Sequence, residues 1–364
     1  MRLTTNRIVQ SLLFAGLGLT VLYSFHTQPT SQVNQPKPQA WEIAFEQPFE
    51  EARPFSEGLA VIRTGGKYGY IDKTGKVVIE PKFQYARNFS DGMAVITMND
   101  KKGYINRDGV VIVKPQFEYA FDFTEGLAHV DLGPRRAGYL DKTGKLVISV
   151  KIDSATKFSE GLAAVSAGPR GEGPFNYIDQ TGKTIITTPF TDARPFSEGL
   201  AKVRIEPDYF MFNRGCGFID RDGQVVIPPI FDEVGEKFSH GLVQAVVGRK
   251  WGYIDKTGKM VVGHRFDEAG EFSEGLALVK VVGTYGFIDK DGQYIVEPRF
   301  TFASPFSEGL AAVCEQGKCG YIGRDGKFVI EPQFESADSF SEGLALVALN
   351  GRVAYIRLVN TGRR

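Results

Sequence analysis

Residues 55–83 read FSEGLAVIRTGGKYGYIDKTGKVVIEPKF, and this stretch decides the fold class. Three apolar runs stand out in it: Leu59 to Ile62, Tyr68 to Asp72 and Val77 to Phe83. Each is short, rich in β-branched and aromatic residues and bounded by Gly, Asp or Pro, which is how strands read; no helical period is present. Between the second and third runs lies Asp72-Lys-Thr-Gly-Lys76. An Asp side chain bonds its own backbone two residues on, and Gly accepts positive φ. This segment therefore predicts a tight hairpin, a type I turn closed by a Gly bulge. Thr64-Gly65-Gly66 makes a second short turn, so the unit reads as a three-stranded antiparallel meander.

The unit recurs. F-[ST]-[ED]-G-[LM] begins at Phe55, Phe89, Phe123, Phe158, Phe196, Phe272, Phe306 and Phe340, with F-S-H-G-L at Phe238. The spacing is 34 residues for most steps and lengthens to 35, 38 and 42 in the middle of the chain. Nearly all the added length falls in one hairpin loop, as Ser166 to Phe175 (SAGPRGEGPF) and Arg204 to Arg214 (RIEPDYFMFNR). Repeat arrays gather such insertions on one face, often the binding face. Arg170, Phe175, Tyr209, Phe210, Met211 and Phe212 are accordingly the candidate interaction residues.

These residues resemble the bacterial WG-repeat family, whose unit runs F-x-E-G-L-A-x-V and then K-W-G-Y-I-D-x-x-G-K-x-V-I-x-P-x-F. The family dipeptide survives intact once, in Lys250-Trp251-Gly252, while Gly alone persists in Tyr68-Gly69, Lys102-Gly103, Ala137-Gly138, Cys216-Gly217, Tyr285-Gly286 and Cys319-Gly320. The resemblance spans residues 41–358 and implies an all-β structural and binding module, with no catalytic residues to carry over. The array starts and stops mid-unit, giving eight full units plus terminal fragments. That offset either closes a ring or caps an open stack. Propellers usually have four to eight four-stranded blades of roughly 40 residues or more, so the expectation is an open, curved β-solenoid. A closed β-propeller-like ring is the alternative.

The 364 residues balance 43 Lys+Arg against 43 Asp+Glu, which argues against a nucleic-acid partner. Arg2 and Arg7 precede Ile8 to Phe25, an apolar run without formal charge. Residues 1–25 thus read as a signal peptide or an inner-membrane anchor formed by residues 8–25. Residues 26–40 read as a Pro/Gln-rich linker and 359–364 as a tail. The expected setting is exported, periplasmic or cell-surface, with the membrane met only through the N-terminal segment.

A catalytic site should depart from the repeat, because a residue recurring in every unit is explained first by the fold. The recurring acids lie in turns, the histidines lack metal-ligand spacing, and no phosphate loop or nucleophile motif occurs. No enzyme activity, cofactor or metal is expected. The reading is a non-catalytic scaffold binding a protein of the bacterial cell envelope. Its first alternative is a carbohydrate or cell-wall binding module that stacks sugars on Trp251, Tyr68 and Tyr285; a glycan-active enzyme is the weaker one. Cys314 and Cys319 flank a four-residue loop, Glu315 to Lys318, and are placed either to form a disulfide or to remain two thiols.

Overall fold

The computed structural model describes residues 40–46, 48–134, 136–150, 154–166, 174–205 and 215–359. The chain divides into two units, Met1–Lys37 and Pro38–Arg364; the leader and nearly all of the linker lie outside the described residues. Within the second unit, the first strands are β1 (Trp41–Glu46), β2 (Glu51–Ala52), β3 (Leu59–Thr64), β4 (Lys67–Asp72) and β5 (Val77–Phe83). β2 to β5 form one antiparallel sheet in chain order, and the pattern repeats to give nine sheets.

Local chemistry explains the strands. β3 and β4 bury side chains on both faces, so they read as continuous apolar runs. β5 alternates, burying Ile79 and Phe83 while Glu80 and Val78 face water, as an edge strand should. The Asp72–Lys76 turn forms as its sequence predicts. Gly75 donates to the Asp72 carbonyl at 2.9 Å and has φ of 83°, and Asp72 Oδ1 accepts from Thr74 N (2.9 Å) and Thr74 Oγ1 (2.6 Å).

Two expectations are corrected. The unit has four strands, because the return segment pairs for two residues, as Tyr85–Ala86 does with Ile96 and Thr97. The array is also a nine-bladed propeller ring and not an open solenoid. β1 pairs antiparallel with Arg352–Leu358 and becomes the outer strand of the last blade, whose other strands come from the chain's end. Comparing unit length with other propellers misleads here, because the fourth strand needs only two residues.

The core consists of seams between neighbouring blades. At each of the nine seams, the aromatic at the Tyr70 position packs on the Phe of the next F-S-E-G turn. Centroids are 4.8–5.1 Å apart, from Tyr70–Phe89 round to the closing pair Tyr355–Phe55. Such pairs contribute about 0.5–1.5 kcal/mol beyond the area they bury. Where the residue is Tyr, its hydroxyl donates to a backbone carbonyl of the next blade, as Tyr70 does to Arg87 (2.7 Å) and Tyr355 to Arg53 (2.7 Å).

The F-S-E-G turns add a polar ring. At eight seams the Ser hydroxyl donates to the next blade's Phe carbonyl at 2.7–2.9 Å, the last from Ser341 to Phe55. At the ninth, Thr124 stands in the Ser position and its buried Oγ1 has no partner among the described residues. The acidic residue then accepts the N–H of the next blade's Gly, as Glu57 does from Gly92 (2.9 Å) and Glu342 from Gly58 (2.9 Å). The acid sits at φ of 52–56°, a left-handed turn position, which aims its carboxylate across the seam.

The glycine of the family dipeptide has a different cause. Tyr68 pairs with Phe83 and Tyr70 with Ile79, so the opposing strand bulges at Glu80 to Lys82 and presses on Gly69. A Cβ there would lie 2.5 Å from the Ile79 carbonyl oxygen. The glycine is lost at Asn176 and Ala354, where the pairing is unbulged: Asn176 faces Thr187 and Ala354 faces Glu46.

Gly69→Ala is expected to destabilise the ring by about 2–3 kcal/mol in urea unfolding, since neither backbone can yield. Gly263→Ala, whose added Cβ meets nothing within 4 Å, is the control and should change little. The ring acids also set an acid limb. Burial alone would raise the pKa of Glu342, Asp91 and Glu198, but lysine and glycine N–H partners outweigh it and each pKa is lowered. A carboxylate depressed in the folded state gives stability above its unfolded pKa, near 4.5 for Glu, that is lost as pH falls through the folded value. Stability should therefore decline below about pH 4.5, and Glu342→Gln should flatten that limb in melting curves recorded across pH.

Candidate functional site

Because the strands are antiparallel, each blade's β3–β4-type hairpin lies at the end of the sheet opposite its F-S-E-G and D-x-x-G turns. Six blades close this hairpin with two residues of positive φ, such as Gly65-Gly66, Asn99-Asp100 and Gln316-Gly317, the preferred type I′ connection. The third, fourth and fifth blades do not. The segments joining those strands lengthen at 132–136, 167–174 and 206–214, so on three consecutive blades the added residues join strand ends on one face.

The described part of this face contains an open cleft of about 520 Å³ at the third blade and the start of the fourth. Tyr119, Phe121, His129, Asp131, Arg136 and Ser154 line it. The third blade is also the one three-stranded sheet, its inner strand reduced to a single bridge between Ala120 and Val130. Tyr119 is 62% exposed and Phe121 43%, high for aromatic residues. The His129 ring stacks on Phe121 with centroids 5.0 Å apart and planes 16° apart, and reaches Tyr139 on its other side at 5.6 Å. The Lys102 ammonium lies 5.3 Å over the Tyr119 ring and donates to the Glu118 carbonyl at 2.6 Å.

His129 Nε2 is sealed from solvent without a hydrogen-bond partner among the described residues. Burial pushes the imidazole pKa down to about 4, against a small opposing pull from Asp131. The ring is neutral at pH 7 and serves as a flat, polarisable surface. With Tyr119 and Phe121 it provides stacking area beside charged groups, suited to binding an amphipathic segment or a ring.

The residues singled out from sequence are scattered. Phe175 is not an exposed loop residue: it starts a strand, is 5% exposed and belongs to the core with Tyr177 and Phe196. Its side chain completes the seam that the inserted loop leads into. Arg170, Tyr209, Phe210, Met211 and Phe212 lie outside the described residues. Tyr68, Trp251 and Tyr285 occupy one register position in three blades, each paired with a Phe: Phe83, Phe266 and Phe300. Tyr68 is buried, its hydroxyl donating to Glu51 at 2.8 Å and Arg53 and Arg63 lying over its ring. Lys280 covers the half-buried Tyr285, and Trp251 packs against the sixth-to-seventh seam. They form no shared platform.

Cys314 and Cys319 are joined by a disulfide. The loop between them is shorter than the sequence reading has it: Glu315 pairs with Lys318, leaving Gln316-Gly317 as the turn and the two cysteines directly opposed. Sequence reasoning missed Tyr119 and Phe121. The available signal was the alternation Phe117, Tyr119, Phe121, Phe123, in which buried repeat positions alternate with positions that no other repeat fills with two aromatics.

The family model described as "WG containing repeat" matches nine times, at residues 49–68, 68–101, 103–133, 138–168, 177–206, 217–251, 251–283, 285–319 and 320–352. No curated protein matches the chain. Among solved structures, a eukaryotic initiation factor is similar with a TM-score of 0.60 and 11% identity, over 83% of this chain and 94% of that one. BamB from Moraxella catarrhalis gives 0.46 and 10% over 88% and 100%. Hsv2p of Kluyveromyces lactis gives 0.40 and 8% over 67% and 93%. The first is a likeness of fold alone, and the other two are too loose to support an argument.

The neutral His129 has a consequence for stability. A group whose folded pKa is lowered gives stability that is whole above its unfolded value, near 6.5, and is lost as pH falls through about 4. NMR titration should place His129 near pH 4, and His129→Leu should remove the part of the acid-induced loss that falls between pH 6.5 and 4.

Proposed function

This chain belongs to the WG-repeat family, and from that premise we propose that it is a non-catalytic interaction scaffold of a bacterial cell envelope, exported or tethered by its N-terminal segment. The observation that carries the reading is the grouping of three lengthened hairpins on consecutive blades, with exposed Tyr119 and Phe121 beside the first. A rigid ring whose hairpins lengthen in one sector is suited to presenting a binding surface there, because the other blades hold that sector in place. The basic start and the apolar run of residues 8–25 support export or anchoring. No helix among the described residues is long and apolar enough to cross a membrane.

Carbohydrate or cell-wall binding is the second reading, and the cleft favours it more than the three dispersed aromatics do. Stacked aromatic faces beside Asp131 and Arg136 provide both an apolar platform and hydrogen-bonding groups for a sugar. A glycan-active enzyme gains no support from ring closure. The recurring carboxylates that closure brings round are committed to glycine N–H groups and to cations, such as Glu342 to Gly58 and Lys73.

The test uses two variants, Tyr119→Ala/Phe121→Ala and deletion of 206–214, each checked by melting for an intact ring. Loss of at least tenfold in affinity for a protein captured from envelope extract is expected, since exposed aromatic anchors carry much of an interface's energy. Unchanged capture by both variants would refute the proposed face. Sedimentation with purified cell-wall polysaccharide that depends on Tyr119 and Phe121 would favour the carbohydrate reading.

A further inference from the structure

The ring of F-S-E-G turns holds a carboxylate at eight seams. Each of those carboxylates accepts the N–H of the next blade's glycine at 2.6–3.1 Å. At several of the seams the cation of that blade's D-x-x-G turn completes the clamp: Lys73 with Glu342, Lys256 with Glu198 and Arg221 with Glu160.

The seam from the sixth to the seventh blade lacks the acid. His240 stands in its place at φ of 57°, the same turn geometry as the eight acids, and its Nδ1 lies 3.1 Å from Ser239 Oγ. The two groups that would clamp a carboxylate here are the Gly275 N–H and the Lys290 ammonium, and neither has a hydrogen-bond or ion-pair partner among the described residues. Both residues are at the surface, Lys290 exposed and Gly275 half-buried. Arg324 adds positive charge, its guanidinium 3.4 Å from where a Cβ on Gly275 would lie while it donates to the Glu274 carbonyl. Two of the nearby acids are committed: Glu274 accepts from Gly309, and Asp289 Oδ1 from the N–H groups of Asp291 and Gln293.

We infer that the seam between the sixth and seventh blades is a binding site for a carboxylate supplied from outside the ring, held by Gly275 N–H and Lys290 where His240 replaces the resident acid. The inference rests on the ring's own repetition and is independent of the reading of the opposite face. The ligand class follows from the frame: a glycine N–H that holds a carboxylate at all eight other seams, joined by a Lys ammonium at three of them, Lys73, Lys142 and Lys256. A carboxylate on a small molecule and one on an acidic peptide share this chemistry.

The test follows the Gly275 amide of the full chain by NMR during titration with sodium acetate, with sodium chloride at equal ionic strength as the reference. A saturable shift at Gly275, absent from Gly92 and Gly309 whose N–H groups are already engaged, is expected. Lys290→Gln should weaken acetate about fivefold. His240→Glu should abolish the shift and raise the melting temperature, showing that the variant folds and that its own carboxylate fills the site. A hexa-aspartate peptide binding more tightly than acetate would assign the site to polypeptide carboxylates, and equal affinity per carboxylate to small molecules. No saturable shift, an undiminished shift in His240→Glu, or inorganic phosphate binding as tightly as acetate would overturn the inference.

Discussion

One aromatic contact, made nine times, carries the structure: a third-strand ring of one blade, Tyr70 in the first, seated against the F-S-E-G phenylalanine of the next. A single blade cannot bury its apolar faces, so the interior exists only where blades meet. Both partners sit at fixed places in the repeat, and each blade therefore accepts its neighbour in one orientation. The Tyr70 hydroxyl bonded to Arg87 and the Ser56 hydroxyl bonded to Phe89 secure the same seam with polar groups. Ring closure is the last instance of the contact, with Tyr355 on Phe55.

Because the frame is repeated, its departures are informative. The six short hairpins require two residues of positive φ, and most sequences answer with Gly or Asn. Val282, at φ of 47° and 88% exposed, is the outlier, a β-branched residue in a conformation that such residues resist. The third to fifth blades abandon the short hairpin, and the third also loses its fourth strand. At the position held by Val61 in the first blade, where the other blades place Val, Ala or Leu, the third, fifth and sixth blades bring in His129, Lys202 and Gln244. Lys202 is 4% exposed yet satisfied, donating to the Val234 carbonyl and to Glu236 at 2.9 Å each. The polar departures thus gather in one sector of the ring.

Much of the local structure was legible from residues alone. The Asp72–Gly75 turn was readable because Asp and Gly have few other uses at that spacing, and its hydrogen bonds form within five residues. The persistence of the glycine in the family dipeptide was readable, although its cause, the bulge at Glu80 to Lys82, was not. The cleft was unreadable for a different reason. Tyr119 and Phe121 look like two more aromatics in an aromatic-rich array, and nothing local distinguishes a ring facing a seam from one facing water. Phe175 shows the converse, since a loop-flanking position in sequence became a core position once the neighbouring blade was present.

The sequence by itself determined what depends on near neighbours: the period, three of the four strands in each unit, the Asp-Gly turn and the family. Those are settled by backbone conformation and hydrogen bonds within a few residues. Closure was decided only by tertiary structure, because it depends on whether nine small rotations between blades bring Trp41–Glu46 beside Arg352–Leu358, about three hundred residues away in the chain. No local pattern encodes that sum. The meaning of His240 was likewise hidden. In sequence it is one changed letter in a repeat; in the ring it is the seam at which Gly275 and Lys290 meet no acid.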